Sequence, residues 1–203
     1  IGASGFVGSA ILNEAVSRGH SVTAIVRDTS KLTPHPQVRA VAVDAQDPQA
    51  LADVLKGHDR VISAYNPGWS APDIHDQYLK GASAIVEAAN ATHSWLLVVG
   101  GAGSLEIAPG VQLVDTPDFP AEWKQGALAA RDGLTALRRE TTLDWRFVSP
   151  PVFLEPGEKR GGYRLGGDQV LFSGDKPAGI TVGDLADAVI NEAEKPAHLR
   201  QRF

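Results

Sequence analysis

The chain has 203 residues, 43% of them hydrophobic, a formal net charge of −5 and no cysteine. That length and apolar content suffice for one sizeable core, so a single domain over residues 1–203 is expected; without thiols there are no disulfides, no thiolate catalysis and no thiolate zinc site. Basic residues are scattered rather than clustered, which argues against nucleic acid and against an anionic membrane surface as partners.

The chain begins Ile1-Gly2-Ala3-Ser4-Gly5-Phe6-Val7-Gly8, with glycines at three-residue spacing where a strand would run into a helix. In such a turn Gly2 permits the sharp exit from the strand, Gly5 lets backbone N–H groups approach phosphate oxygens, and Gly8 lets the new helix pack closely. Ser4 adds a hydroxyl donor, and the helix N-terminus faces the anion. The same spacing also suits an ordinary strand-to-helix turn. The βαβ context favours the phosphate cradle, because Phe6, Val7, Ala10, Ile11, Ala15 and Val16 have helical period, Gly19 stops the helix, and Val22–Val26 reads as the next strand. The first strand of this unit is expected to lie mostly upstream of Ile1. Methionine is absent throughout.

Further along, Val38–Val43 is a β-branched run ending at Asp44, and Pro48–Leu55 has the proline start of a short helix. Val61–Ala64 is a fourth strand. Residues 73–91 place Ile74, Tyr78, Ala82, Ile85, Val86 and Ala89 on one helical face. Trp95–Val99 is a fifth strand leading into Gly100-Gly101-Ala102-Gly103-Ser104. Residues 119–140 form another amphipathic helix, and Asp144–Val148 a sixth strand. This alternation predicts an α/β fold of Rossmann type: a doubly wound parallel sheet in the order 3-2-1-4-5-6, with helices on both faces. Beyond Pro150-Pro151 the rhythm breaks. Residues 151–180 are read as a small substrate-side appendage with strand-like pieces at Tyr163–Leu165 and Val170–Phe172, before a last helix over 183–195 ended by Pro196.

The six histidines show neither i,i+4 pairing nor an HExxH pattern, so no metal is expected. No apolar run is long enough to span a bilayer and no signal peptide opens the chain, so the expected location is the cytoplasm, the partner a small molecule, and the assembly a monomer or homodimer.

In dinucleotide folds the end of the second strand meets the adenosine ribose, where an acid selects NAD and a cation accommodates the 2′-phosphate of NADP. Arg27 occupies that place, with Lys31 as a second cation, so NADPH is favoured over NADH. The alternative is a surface arginine paired with Asp28. Asp44 is placed to accept from the adenine amino group, or else caps the helix that follows. Ala64, Tyr65 and Asn66 lie at the crevice where ligands bind such sheets, with the backbone lining ribose and pyrophosphate and Tyr65 alternatively a packed aromatic.

The glycine loop, Val26-Arg27-Asp28, Val98-Val99-Gly100-Gly101-Ala102-Gly103-Ser104, Asp115-Thr116-Pro117-Asp118-Phe119-Pro120, Leu143–Pro150, Gly161-Gly162-Tyr163-Arg164 and Arg202-Phe203 resemble the atypical short-chain dehydrogenase/reductases of the NAD(P)H-binding, NADH–flavin reductase kind, which are similar to biliverdin reductase B and NmrA-like proteins. The resemblance covers nearly the whole chain. It implies a nicotinamide cofactor bound by Gly2, Ser4, Gly5, Phe6, Val7, Gly8, Arg27, Asp44, the 64–66 backbone, Gly100 and Pro150. It also implies catalytic roles for Lys124, which would contact the nicotinamide ribose, and for Ser104; the bland readings are a solvated helix lysine and a capping hydroxyl.

The chain departs from standard short-chain dehydrogenases in lacking Tyr-x-x-x-Lys. Tyr65, Tyr78 and Tyr163 are followed four residues on by Trp69, Ala82 and Gly167. Carbonyl reduction through a tyrosine acid is therefore not expected. Flavins and quinones are their own electron sinks, so FMN, FAD or a quinone is the expected substrate, walled by Trp69, Trp123, Phe153 and Tyr163. The alternatives are a dinucleotide-binding redox sensor without turnover and an NAD-dependent epimerase or dehydratase.

Overall fold

A computed structural model describes all of residues 1–203. Helix α1 (Phe6–Ser17) follows the glycine loop, and strand β1 (Val22–Val26) then pairs in parallel with β2 (Val38–Ala42), Val22 opposite Val38. Helix α2 (Pro48–Leu55) starts on a proline, and the Asp47 side chain accepts from Ala50 N–H at 3.0 Å. This is the cap that a helix start demands. Strand β3 (Val61–Ser63), helix α3 (Ile74–Ala91) and strand β4 (Trp95–Val99) come next. After a short hairpin of β5 (Glu106–Ala108) and β6 (Val111–Gln112), helix α4 (Ala121–Leu137) leads to β7 (Asp144–Val148).

Strands β3, β4 and β7 are hydrogen-bonded neighbours and all parallel. Successive residues of β4 face opposite sides: Trp95, Leu97 and Val99 join one core, Leu96 the other. One core gathers Leu51 of α2, Ile85 and Ala88 of α3 and Leu134 of α4; the other gathers Ile11 and Ala15 of α1 with residues of the last helix. The sheet is therefore covered on both faces, which is why β4 reads as a continuous apolar run rather than an alternating one.

The parallel strands of the expected α/β fold fall into two hydrogen-bonded groups. Hydrogen bonds join β1 to β2 and β3 to β4 and β7, but not β1 to β3. Ile1 and Gly2 span the gap: Ile1 N–H donates to the Ile62 carbonyl (2.7 Å), Ala64 N–H donates to the Ile1 carbonyl (2.9 Å), and Gly2 N–H donates to the Ile25 carbonyl (2.9 Å). Behind them lies a cavity of about 890 Å³, lined by Ile11, Leu12, Val22, Ala24, Val61 and Ile62 among others.

Beyond β7 come β8 (Phe153–Glu155), the hairpin β9 (Phe172–Ser173) and β10 (Lys176–Pro177), then β11 (Gly179–Thr181), which pairs in parallel with β8. Helix α5 (Val182–Glu194) follows, and β12 (Gln201–Arg202) adds an edge strand beside β7 that the sequence reading lacks. The expected strand at Tyr163–Leu165 is irregular. The Tyr163 hydroxyl donates to Asp187 (2.8 Å) and the Arg164 guanidinium to the Phe172 carbonyl (2.6 Å), so both side chains reach away from any regular pairing. The β5–β6 hairpin is stitched to this region through Glu106 N–H to the Asp168 carbonyl (2.8 Å) and Val170 N–H to the Glu106 carbonyl (2.9 Å).

Residues 157–163 strap the appendage to α5 and α1. The buried carboxylate of Asp184 accepts from Arg160 N–H (2.8 Å), Gly161 N–H (2.7 Å) and the Thr181 hydroxyl (3.1 Å). Lys159 donates to Glu14 (2.8 Å) and Asp187 (3.0 Å), and Arg18 donates to Glu14, Asp187, Asn191 and Glu194. Replacing Asp184 with Ala removes the charged acceptor of two backbone donors, while the Thr181 hydroxyl keeps the Glu158 carbonyl (3.0 Å), a loss of about 1.5–3 kcal/mol of stability at the scale of hydrogen bonds to a charged group. Denaturant unfolding measures it, and a change under 1 kcal/mol would show that the strap holds without this carboxylate.

No helix is long and apolar enough to cross a membrane.

Candidate functional site

Gly2 has a φ of +81°, a left-handed conformation that favours glycine, and a Cβ there would lie 2.7 Å from the Ala64 carbonyl oxygen. The end of β3 thus presses directly on the loop. A Cβ on Gly8 would lie 2.1 Å from the Gly2 carbonyl oxygen, so the first turn of α1 sits on the loop with no room for a side chain. Gly5 differs. It is the N-cap of α1, in ordinary extended geometry (φ −78°, ψ 171°), and a Cβ there would meet nothing nearer than the Gly2 oxygen at 3.5 Å. Ser4, Gly5 and Phe6 are exposed. No side chain caps α1 and no acidic residue stands in its first turn, so the first-turn N–H groups face outward with no carboxylate to compete for them. A bare helix N-terminus of this kind suits an anion by charge and by hydrogen bonding.

Arg27 is exposed at the end of β1, and its guanidinium makes one long contact, to the Pro67 carbonyl at 3.5 Å. The alternative of an Arg27–Asp28 pair does not form: Asp28 accepts instead from the N–H (3.0 Å) and hydroxyl (2.7 Å) of Ser30, which hold its carboxyl below the usual value. Lys31 is exposed in the same turn. Asp44 closes a small turn by accepting from Gln46 N–H (2.9 Å), and the helix cap considered for it belongs to Asp47. The Tyr65 ring lies against α3. It packs where a Gly81 Cβ would be, 6.2 Å from the Tyr78 ring, and its hydroxyl donates to the Gln77 carbonyl (3.0 Å). The Asn66 side chain accepts from Gly68 N–H (2.8 Å).

Gly100 N–H donates to the Val148 carbonyl (2.9 Å), and the Phe147 ring fills the space beneath Gly100. Ser104 does not fit the catalytic role expected of it. It is buried, its hydroxyl accepts from Arg202 Nη1 (2.8 Å), and Arg202 also binds Asp168 (2.7 Å), so this serine ties the loop after β4 to β12. Lys124 stands partly exposed in the first turn of α4 and makes no ion pair. Pro150 is buried, while Ser149 N–H is already given to the Phe203 carbonyl (2.9 Å). The Ser149 Oγ is buried with no partner and lies beside a cavity of about 300 Å³ under residues 162–171, a feature the sequence does not reveal. Tyr163 is withdrawn from the expected acceptor wall, because its hydroxyl is held on α5 by Asp187 and Asn191. Trp69, Trp123 and Phe153 remain exposed.

The loop therefore has a steric cradle, an anion-seeking helix end and a free guanidinium at one edge of the sheet. No tyrosine is free to serve as an acid there, because Tyr65 donates to Gln77 and Tyr163 to Asp187.

The NAD(P)H-binding family matches residues 2–196. The Bacillus subtilis (strain 168) protein YwnB is 39% identical over 207 aligned residues, covering 100% of this chain and 94% of that protein. A solved structure from Bacteroides thetaiotaomicron, named provisionally as an epimerase, is 39% identical with a TM-score of 0.92 over 99% of this chain and 92% of that one. Another from Streptococcus pneumoniae TIGR4, named provisionally as an NADH-flavin reductase, is 38% identical with a TM-score of 0.87 over 98% and 93%.

Proposed function

The chain belongs to the NAD(P)H-binding family, and from that premise we propose that it is an NADPH-dependent oxidoreductase whose acceptor is a flavin or quinone-like molecule. The observation that carries the reading is the pairing of a bare phosphate cradle with an uncommitted Arg27 at the ribose end of the cleft. The glycine loop and the first turn of α1 would hold the pyrophosphate, Arg27 and Lys31 the 2′-phosphate, and the 64–66 backbone the nearby ribose. When bound, the cofactor supplies a hydride, two electrons with one proton, and a solvent proton completes the two-electron reduction of the acceptor.

Acceptor choice follows from what the side chains leave undone. A ketone needs a proton delivered to its oxygen, and the three tyrosines are committed: Tyr65 to Gln77, Tyr163 to Asp187 and Tyr78 buried in the core, where desolvation pushes its hydroxyl up to about 12. An epimerase of the tyrosine-base type meets the same obstacle. A conjugated acceptor needs only to be stacked and oriented.

Steady-state oxidation of NADPH with FMN or a quinone tests this reading, with faster turnover expected than with simple ketones or aldehydes. Tight NADPH binding with no turnover on any flavin or quinone favours a redox sensor instead. Lys124→Ala is expected to raise KM for NADPH roughly tenfold, about 1.4 kcal/mol, with a smaller change in kcat, as for a residue that only holds the cofactor. A kcat collapse at unchanged KM would give Lys124 a chemical role.

A further inference from the structure

Two of the four tryptophans, Trp95 and Trp145, are 6% and 2% exposed; the other two, Trp69 and Trp123, are 61% and 53% exposed. Leaving two indoles in water is unfavourable, and adjoining exposed apolar groups mark ligand sites more often than chance. These two come from separate segments, the connection after β3 and the first turn of α4, which follows β4. Both connections leave the carboxyl ends of parallel strands, where ligands of open α/β sheets lie.

The Trp69 ring has a purpose-shaped seat. A Cβ on Gly126 would lie 2.6 Å from Trp69 Cζ3 and 3.3 Å from Cε3, so the ring rests on bare backbone of α4, flanked by the Ile74 methyl at 3.1 Å from the same point. Trp123 is three residues before Gly126, hence one turn away on the same helix face, and helix side chains lean toward the N-terminus into the open end of that face. The neighbouring face of α4 is packed against the loop that leaves Gly100: a Cβ on Gly103 would lie 2.8 Å from the Ala127 Cβ, while one on Gly101 would meet nothing. Trp69 thus rests on the same helix that carries exposed Trp123 in its first turn, and that helix packs through Ala127 on the glycine-rich loop after β4.

We propose that Trp69 and Trp123 are the acceptor-binding residues, and that they hold a planar, conjugated, multi-ring acceptor of the isoalloxazine class by stacking, with Gly126 setting the position of Trp69. The proposal rests on the oxidoreductase reading above and adds to it the place and shape of the acceptor. Flat π-faces at the rim of a hydride-transfer cleft select for planarity rather than for hydrogen-bonding pattern, so a flexible aliphatic carbonyl compound gains nothing from them.

The test is a titration of the NADP⁺-loaded protein with FMN, followed by quenching of flavin fluorescence, alongside steady-state kinetics. Saturable quenching is expected in the wild type, weakened tenfold or more in Trp69→Ala and Trp123→Ala and largely kept in Trp69→Phe. Gly126→Ala keeps both rings but pushes Trp69 off the helix, and is expected to weaken FMN as much as Trp69→Ala does. Because alanine favours the helix over glycine, a melting temperature at or above wild type separates that loss from misfolding. Calorimetric affinity for NADP⁺ is expected to be unchanged in all four variants. Equal FMN binding by every variant, no saturable FMN binding by the wild type, or a shift of oligomeric state as the sole effect of Trp69→Ala would each overturn the proposal. Saturable, tryptophan-dependent FMN binding without any NADPH oxidation would keep the stacking site and overturn the hydride-transfer reading instead.

Discussion

Gly5→Val is expected to weaken NADPH binding by at least roughly 100-fold, about 2.8 kcal/mol, in a protein that still folds. Nothing in the free structure resists the change: the backbone at Gly5 is extended, the position is exposed, and a Cβ would meet only the Gly2 oxygen, at an ordinary 3.5 Å. The branched side chain would instead occupy the space over the first-turn N–H groups, where the pyrophosphate is proposed to sit. Valine is a weaker N-cap than glycine, a loss of about 1 kcal/mol of stability that a domain of this size tolerates. Gly8→Val provides the contrast, because its Cβ would lie 2.1 Å from the Gly2 oxygen and the loop itself would have to break. Calorimetric titration with a melting curve reads both effects. Retained affinity in Gly5→Val would reduce the glycine loop to a turn.

Arg27→Ala is expected to weaken NADPH by about 1–3 kcal/mol and to leave NADH almost unchanged, the loss of a charge-assisted contact to a group that only one cofactor carries. The free protein should hardly notice, since the guanidinium makes only the 3.5 Å contact to Pro67. Arg27→Lys keeps the charge but not the planar fork, so an intermediate affinity is expected. Comparing the two dissociation constants across the three proteins settles it, and equal losses for both cofactors would remove Arg27 from the site.

What the sequence discloses depends on range. The glycine loop, Arg27 and the strand–helix rhythm are local patterns, and α1 to α4, β1 to β4 and β7 each lie within a few residues of where their periodicity predicts them. Ser104 reads as a free hydroxyl because its donor, Arg202, is 98 positions away, and Tyr163 reads as an acceptor wall because Asp187 is 24 away. Short pairings leave no period to detect: β12 has two residues, as do β6, β9 and β10. The seating of Trp69 on Gly126 joins segments 57 positions apart, and a lone helical glycine gives no hint of the ring above it.

The charges at the far end of α1 bear on the glycine loop as well. Glu14 and Arg18 fasten the C-terminal half of that 12-residue helix to α5 and to the strap through Lys159. The helix is a rod of roughly 18 Å, clamped at one end and seated on the Gly2 carbonyl at the other. A loop of bare glycines would ordinarily lose much conformational entropy when a ligand ordered it. Here the protein itself already holds the loop, so a phosphate bound as proposed would meet a pre-organised cradle and lose less of each contact to ordering.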